Sequence, residues 1–105
     1  MTILHIAYAA DWNAAQESGE YRISTRGRTL EQEGFIHCSA DRRQADTVTQ
    51  AFYADVTDPL VLLEIDPTGL DIRYETPEGA HEAFPHLYGP LPTTSVTAVY
   101  EHNTR

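Results

Sequence analysis

The sequence predicts an α+β domain, a single unit over residues 1–105, and three observations carry that prediction. Helical patterns fall in the N-terminal half and strand patterns fill most of the second half, which is not the alternation of a repeating βαβ sheet. The chain of 105 residues is long enough for one core and too short for two. Hydrophobic residues make up 41% and charged residues 22%, an ordinary globular balance that argues against disorder. Small mixed or antiparallel sheets and two helices in the N-terminal half are therefore expected.

Ile3 to Tyr8 reads as a strand from its length and its branched and aromatic content. Ala9 to Ser18 reads as a helix, with Trp12, Ala15 and Gln16 at helical spacing and Gly19 as its stop. Glu20 to Arg28 is polar and arginine-bearing, an irregular crossing, and Thr29 to Glu33 makes one turn ended by Gly34. Phe35 to Cys38 forms a second short strand, and Ser39 is placed to cap a helix over about residues 40–54 that buries Ala45, Val48 and Phe52. Leu60 to Ile65 is an almost unbroken apolar run, hence a central strand, and Asp66-Pro67-Thr68-Gly69 is a turn. Leu70 to Tyr74 returns as a strand, and Glu75 to Phe84 is a polar loop carrying Glu78, Gly79, His81 and Glu82. Pro85 to Pro92 is extended, with prolines that limit sheet pairing, and Ser95 to Glu101 alternates as a last strand.

Composition excludes several functional classes. The net charge of −9 opposes polyanions and argues against general nucleic-acid binding. No stretch approaches the roughly 18 apolar residues that a membrane span needs. The first apolar run is interrupted by His5 and closed by Asp11, without a basic flank, so no export peptide is expected. A lone cysteine allows no internal disulfide and fits a reducing, cytoplasmic setting. All seven cations are arginine, and five of them, Arg22, Arg26, Arg28, Arg42 and Arg43, lie in the first half. Such a patch suits one phosphate-bearing ligand, or it merely offsets Glu20, Glu31, Glu33, Asp41 and Asp46.

Three histidines carry the candidate chemistry. Strand alternation sets His5 opposite Leu4, Ile6 and Tyr8, and His37 opposite Ile36 and Cys38. With the apolar sides turned into a core, both imidazoles look out into one shared cleft that His86 borders. The alternative is a pair of histidines satisfied by backbone carbonyls. Three imidazoles and a water also suit an open zinc site, although no His-x-x-x-His spacing or paired cysteines support one. Cys38, sent away from His37 by alternation, is expected as a small buried hydrophobe and not a nucleophile. Ser39 is read as a helix cap.

Leu30 to Ser39, with its Glu-Gly-Phe-Ile-His-Cys-Ser core, and Phe84 to Pro92, Phe-Pro-His-Leu-Tyr-Gly-Pro-Leu-Pro, resemble the two signatures of a small bacterial family of unknown function. The resemblance takes in Leu4-His5-Ile6, Trp12, Gly19-Glu20-Tyr21 and Leu62 to Ile65, nearly the whole chain. The order of elements, with Gly34-Phe35-Ile36-His37-Cys38-Ser39 in the second strand, is more distantly similar to the ADP-ribosyltransferase superfamily. That likeness implies an ADP-ribosyltransferase-like fold and NAD as cofactor, with His5 holding a ribose and His37 on the nicotinamide. His5, His37 and His86 would form the catalytic set, and Tyr88, Arg22 and Arg28 would join His5 and His37 in binding a nucleotide-like small molecule. The glutamate that opens a later strand in the classical transferases is replaced here by His86, which makes ligand binding with slow transfer the expectation. A non-catalytic ligand-binding module and a histidine-ligated metal-dependent hydrolase are the alternatives.

Overall fold

Two strands with apolar residues on both faces organise the molecule. In the computed structural model, which describes residues 1–103, these are β1 (Ile3–Tyr8) and the later strand β6 (Leu60–Ile65). Between them the chain forms α1 (Ala9–Ser18), the short strands β2 (Glu20–Tyr21), β3 (Ile23–Thr25) and β4 (Arg28–Thr29), the single-turn α2 (Leu30–Glu33), β5 (Ile36–His37) and α3 (Arg42–Phe52). After β6 come β7 (Ile72–Glu75), β8 (Phe84–Leu87), β9 (Leu91–Pro92), a 3-10 turn at Thr93–Ser95 and β10 (Val96–His102). The class is α+β: every pairing between these strands is antiparallel, and all three helices precede residue 53. No helix among the described residues is long and apolar enough to cross a membrane.

β6 is the middle strand of the sheet β1-β6-β10. Register sets Ile3 against Ile65, His5 against Leu63 and Ala7 against Val61 on one face. The other face pairs Leu4 with Glu64, Ile6 with Leu62 and Tyr8 with Leu60. The first face packs with Trp12, Ala15, Tyr21, Leu30, Ile36 and Leu87; the second packs under α3 with Ala45, Val48, Tyr53 and Val56. Two-sided burial explains why β6 reads as a continuous apolar run rather than an alternating one. Each fully buried leucine or isoleucine there contributes about 1.5–3 kcal/mol.

The second three-stranded sheet has the order β5-β8-β7, pairing Ile36 with Leu87, His37 with His86 and Arg73 with His86. Ile36, Cys38, Leu87 and Ile72 face the core. The two sheets join at the end of β5. Cys38 N–H still donates to the Pro85 carbonyl at 3.0 Å, and Ser39 then exchanges both backbone bonds with Leu4, at 2.7 and 2.8 Å.

Several expectations are corrected. Residues 20–29 are not an irregular crossing: β2 pairs with β9, and β3 pairs with β4 around Gly27, whose φ of 72° suits a residue without Cβ. Ser39 does not cap α3, because its backbone is paired with Leu4 and the helix begins only at Arg42; Asp41 caps instead, accepting from Gln44 N–H at 2.9 Å. Phe52 is 61% exposed at the last turn of α3, and the buried residues of that helix are Gln44, Ala45 and Thr49. Pro85 does not keep its segment out of a sheet. It lies in the central strand β8, where its carbonyl accepts from Cys38 while its missing N–H falls at the point where β5 departs.

Candidate functional site

Alternation in the second sheet turns its polar and aromatic residues away from the core. The side of β5 and β8 opposite Ile36, Cys38 and Leu87 carries Phe35, His37, His86 and Tyr88, and β7 adds Arg73 and Glu75. The rings pack on one another. Phe35 stacks on His86 at 4.0 Å and 12°, and His37 meets the edge of both, at 4.8 Å from Phe35 and 5.1 Å from His86. Tyr88 tilts against Phe35 at 5.4 Å, and the Arg73 guanidinium lies 4.1 Å over the Tyr88 ring.

Glu75 is the polar centre of this face. Its Oε1 accepts from the Tyr88 hydroxyl at 2.6 Å and lies 2.8 Å from His86 Nδ1. These bonds, Tyr88 first, hold the Glu75 carboxyl below the usual carboxylate range and the carboxylate in turn raises the Tyr88 phenol. An ionised carboxylate only accepts, so His86 must donate from Nδ1. His86 is 3% exposed, and its other nitrogen, Nε2, is buried without a hydrogen-bond partner. Such an orphan is uncommon in a folded protein.

His37 is half-buried at the edge of the cluster, its Nε2 3.8 Å from Glu33, which also receives Arg28 at 2.8 Å. Burial lowers the His37 pKa, and the neighbouring His86 lowers it further against the pull of Glu33. Arg28 thus stands at one rim through Glu33 and Arg73 at the other over Tyr88. Arg22 binds Glu20 and Glu31 instead.

The three histidines do not line one cleft. His37 and His86 are cross-strand partners with touching rings, but His5 lies on the core side. Its ring is 3% exposed because β1 is covered on both faces, so no apolar side could leave the other open. His5 Nδ1 meets the backbone carbonyl of His37 at 2.5 Å, and Nε2 meets the Tyr21 hydroxyl at 2.9 Å. A carbonyl only accepts, so Nδ1 carries the proton and Nε2 accepts from Tyr21. Burial drives the His5 pKa down to about 4 and pushes the Tyr21 phenol up. His5 and His37 do border one cavity with Ser24, Cys38, Ser39 and Tyr53, but its volume of about 20 Å³ admits a single water. A larger groove of about 700 Å³ runs along residues 54–60 and 101–103, where Asp55, Asp58 and Glu101 oppose an anionic ligand.

Each of the other arginines in the described residues also has an acidic partner: Arg26 with Asp55, Arg42 with Asp46, Arg43 with Glu82 and Arg73 with Asp71. Among the described residues no three histidine, cysteine, aspartate or glutamate side chains converge so as to hold a metal ion. Cys38 lies buried on the core face, away from the His37 ring, with burial pushing its thiol up to about 12. Sequence reasoning missed Glu75, Phe35 and Arg73. The available signal was the alternation Arg73, Glu75 and Phe84, His86, Tyr88, which places these residues on one face once β7 and β8 are paired.

Comparison with known proteins follows the fold. A crystal structure of protein CC0527 from Caulobacter crescentus matches with a TM-score of 0.72 and 31% identity, over 98% of this chain and 87% of that one. The solution NMR structure of CC0527 matches with a TM-score of 0.76 and 32% identity, over 95% and 83%. A search of curated proteins finds no match. The family described as "Protein of unknown function (DUF952)" matches residues 6–99, all but the ends, and the chain belongs to it.

Proposed function

We propose that the outer face of the β5-β8-β7 sheet binds a flat, hydroxyl-bearing nucleotide-type ligand such as NAD, in the manner of an ADP-ribosyltransferase-like domain. The observation that carries this reading is the pairing of stacking and polar groups on one face: the rings of Phe35, His37 and His86 beside Glu75, which already engages His86 and Tyr88. Phe35 and His37 offer surfaces to a heteroaromatic ring, and Glu75 offers a carboxylate to ribose hydroxyls. Transfer at the ADP-ribose C1′ carbon passes through an oxocarbenium-like centre, which a nearby carboxylate stabilises. Glu75 supplies on β7 the charge that the replacement by His86 removes from β8, and its bonds to His86 and Tyr88 both fall on one oxygen, Oε1. Arg28 and Arg73 are the arginines next to this face, and a phosphate there competes with Glu33 and Asp71. His5 acts behind the site, through the backbone of His37.

The test is a thermal-shift screen of the wild type and His37→Ala with NAD, ADP-ribose, mononucleotides and divalent metals. A ligand at a hundred times its dissociation constant adds about 2.7 kcal/mol, which for a domain of this size raises the midpoint by about 10–20 °C. NAD or ADP-ribose should produce such a rise in the wild type and a smaller one in His37→Ala. No rise with any nucleotide overturns the proposal.

A further inference from the structure

We infer that Glu75 is a positioning residue that fixes His86 with its proton on Nδ1, so that Nε2 presents a lone pair to an O–H or N–H donor of the ligand. Three observations on His86 converge. Nδ1 lies 2.8 Å from a carboxylate oxygen that only accepts, so the proton of the neutral ring sits at Nδ1. Turning the ring over about its Cβ–Cγ bond would put Cδ2 in place of Nδ1 and lose the Glu75 contact, and the turn is opposed by Phe35, parallel to the ring at 4.0 Å, and by the His37 edge. Nε2, left bare by that assignment, has no partner and no contact with water. A buried acceptor without a donor is costly to keep, and a ligand hydroxyl or amide that satisfied it would recover that cost. Tyr88 O–H donates to the same Glu75 oxygen at 2.6 Å, beside the carboxylate's own bond to His86, on which the tautomer depends.

This inference rests on the proposed site and adds the class of group the ligand must bring to it. Because Nε2 is buried, a donor such as a ribose hydroxyl reaches it only as Phe35 or His37, the rings packed on His86, shifts to admit the ligand. A ligand offering only acceptors at that point, such as a bare phosphate, gains nothing from Nε2. Glu75 itself is not required to touch the ligand for this role.

The experiment reads the tautomer directly, by long-range 15N–1H correlation NMR of uniformly labelled protein at pH 8. In the wild type His86 should show a protonated Nδ1 and an unprotonated Nε2. Glu75→Ala should move most of the population to the Nε2–H form that free histidine favours, Glu75→Gln should restore the Nδ1–H form through its amide oxygen, and Tyr88→Phe should leave the tautomer unchanged. A merely structural role for Glu75 would lower stability without changing the tautomer. A wild type with its proton on Nε2 overturns the inference without any variant, as does Glu75→Ala that stays folded and keeps Nδ1–H. If the tautomers behave as expected while no nucleotide binds, the positioning role stands and the ligand assignment falls.

Discussion

Acidification should destabilise this protein through His5 well before ordinary carboxylates matter. In the unfolded chain the imidazole takes a proton near pH 6.5; in the folded chain burial lowers that value to about 4. Between those values the unfolded state binds more protons, so stability is intact above about 6.5 and is lost as the pH falls toward 4. At about 1.4 kcal/mol per pH unit, the gap amounts to about 3 kcal/mol, a large part of the stability of an ordinary small domain. The physical reason is that protonation would set a charge in a site where Nδ1 already donates to the His37 carbonyl and Nε2 faces a hydroxyl, out of reach of water. The assay is urea unfolding of the wild type and His5→Gln at half-unit steps from pH 7.5 to 4.5. His5→Gln starts less stable, yet should lose less on acidification than the wild type, because the His5 share is gone. His37 and His102 are also lowered by burial and act with the same sign in both proteins, so the difference between the curves isolates His5. Parallel curves for the two proteins would refute the reasoning.

Tyr21→Phe removes the donor to His5 Nε2 inside the core and should cost about 1–3 kcal/mol in the same urea assay, by leaving a buried acceptor unsatisfied. Cys38 should react with a thiol reagent at the rate of global unfolding, because the thiol is buried and held protonated; labelling within seconds in native buffer would contradict its position on the core face.

What could be read in the sequence depended on whether one strand's own pattern decided the outcome. β1, α1 with its Gly19 stop, and β6 were legible because their apolar residues and terminators lie within each segment. The outward direction of His37 was legible too, because Ile36 and Cys38 beside it are unambiguous core residues. His5 was not, since its face is closed by residues distant in sequence, Tyr21 and the β5 backbone among them. Glu75 lies eleven residues before His86, across a loop, and only the register of β7 on β8 joins them. Pro85 disguised that register by making β8 look like a segment unfit for pairing. Ser39 and Asp41 are both good caps by type, and the choice between them was made by a backbone contact to Leu4 that local pattern does not contain.

The hand-over of β5 from β8 to β1 has a consequence for how the molecule comes apart. Consecutive amides, Cys38 and Ser39, bond to different sheets, and the His37 carbonyl just before them holds a buried side chain of β1. Neither sheet can open along this seam while the other keeps its bonds, so fraying that starts at the exposed edges of β7 or β10 stops there. The seam couples the two sheets into one cooperative unit, and it sets the His37 and His86 rings on the strands beside it while their carboxylate partner Glu75 lies on the edge strand β7.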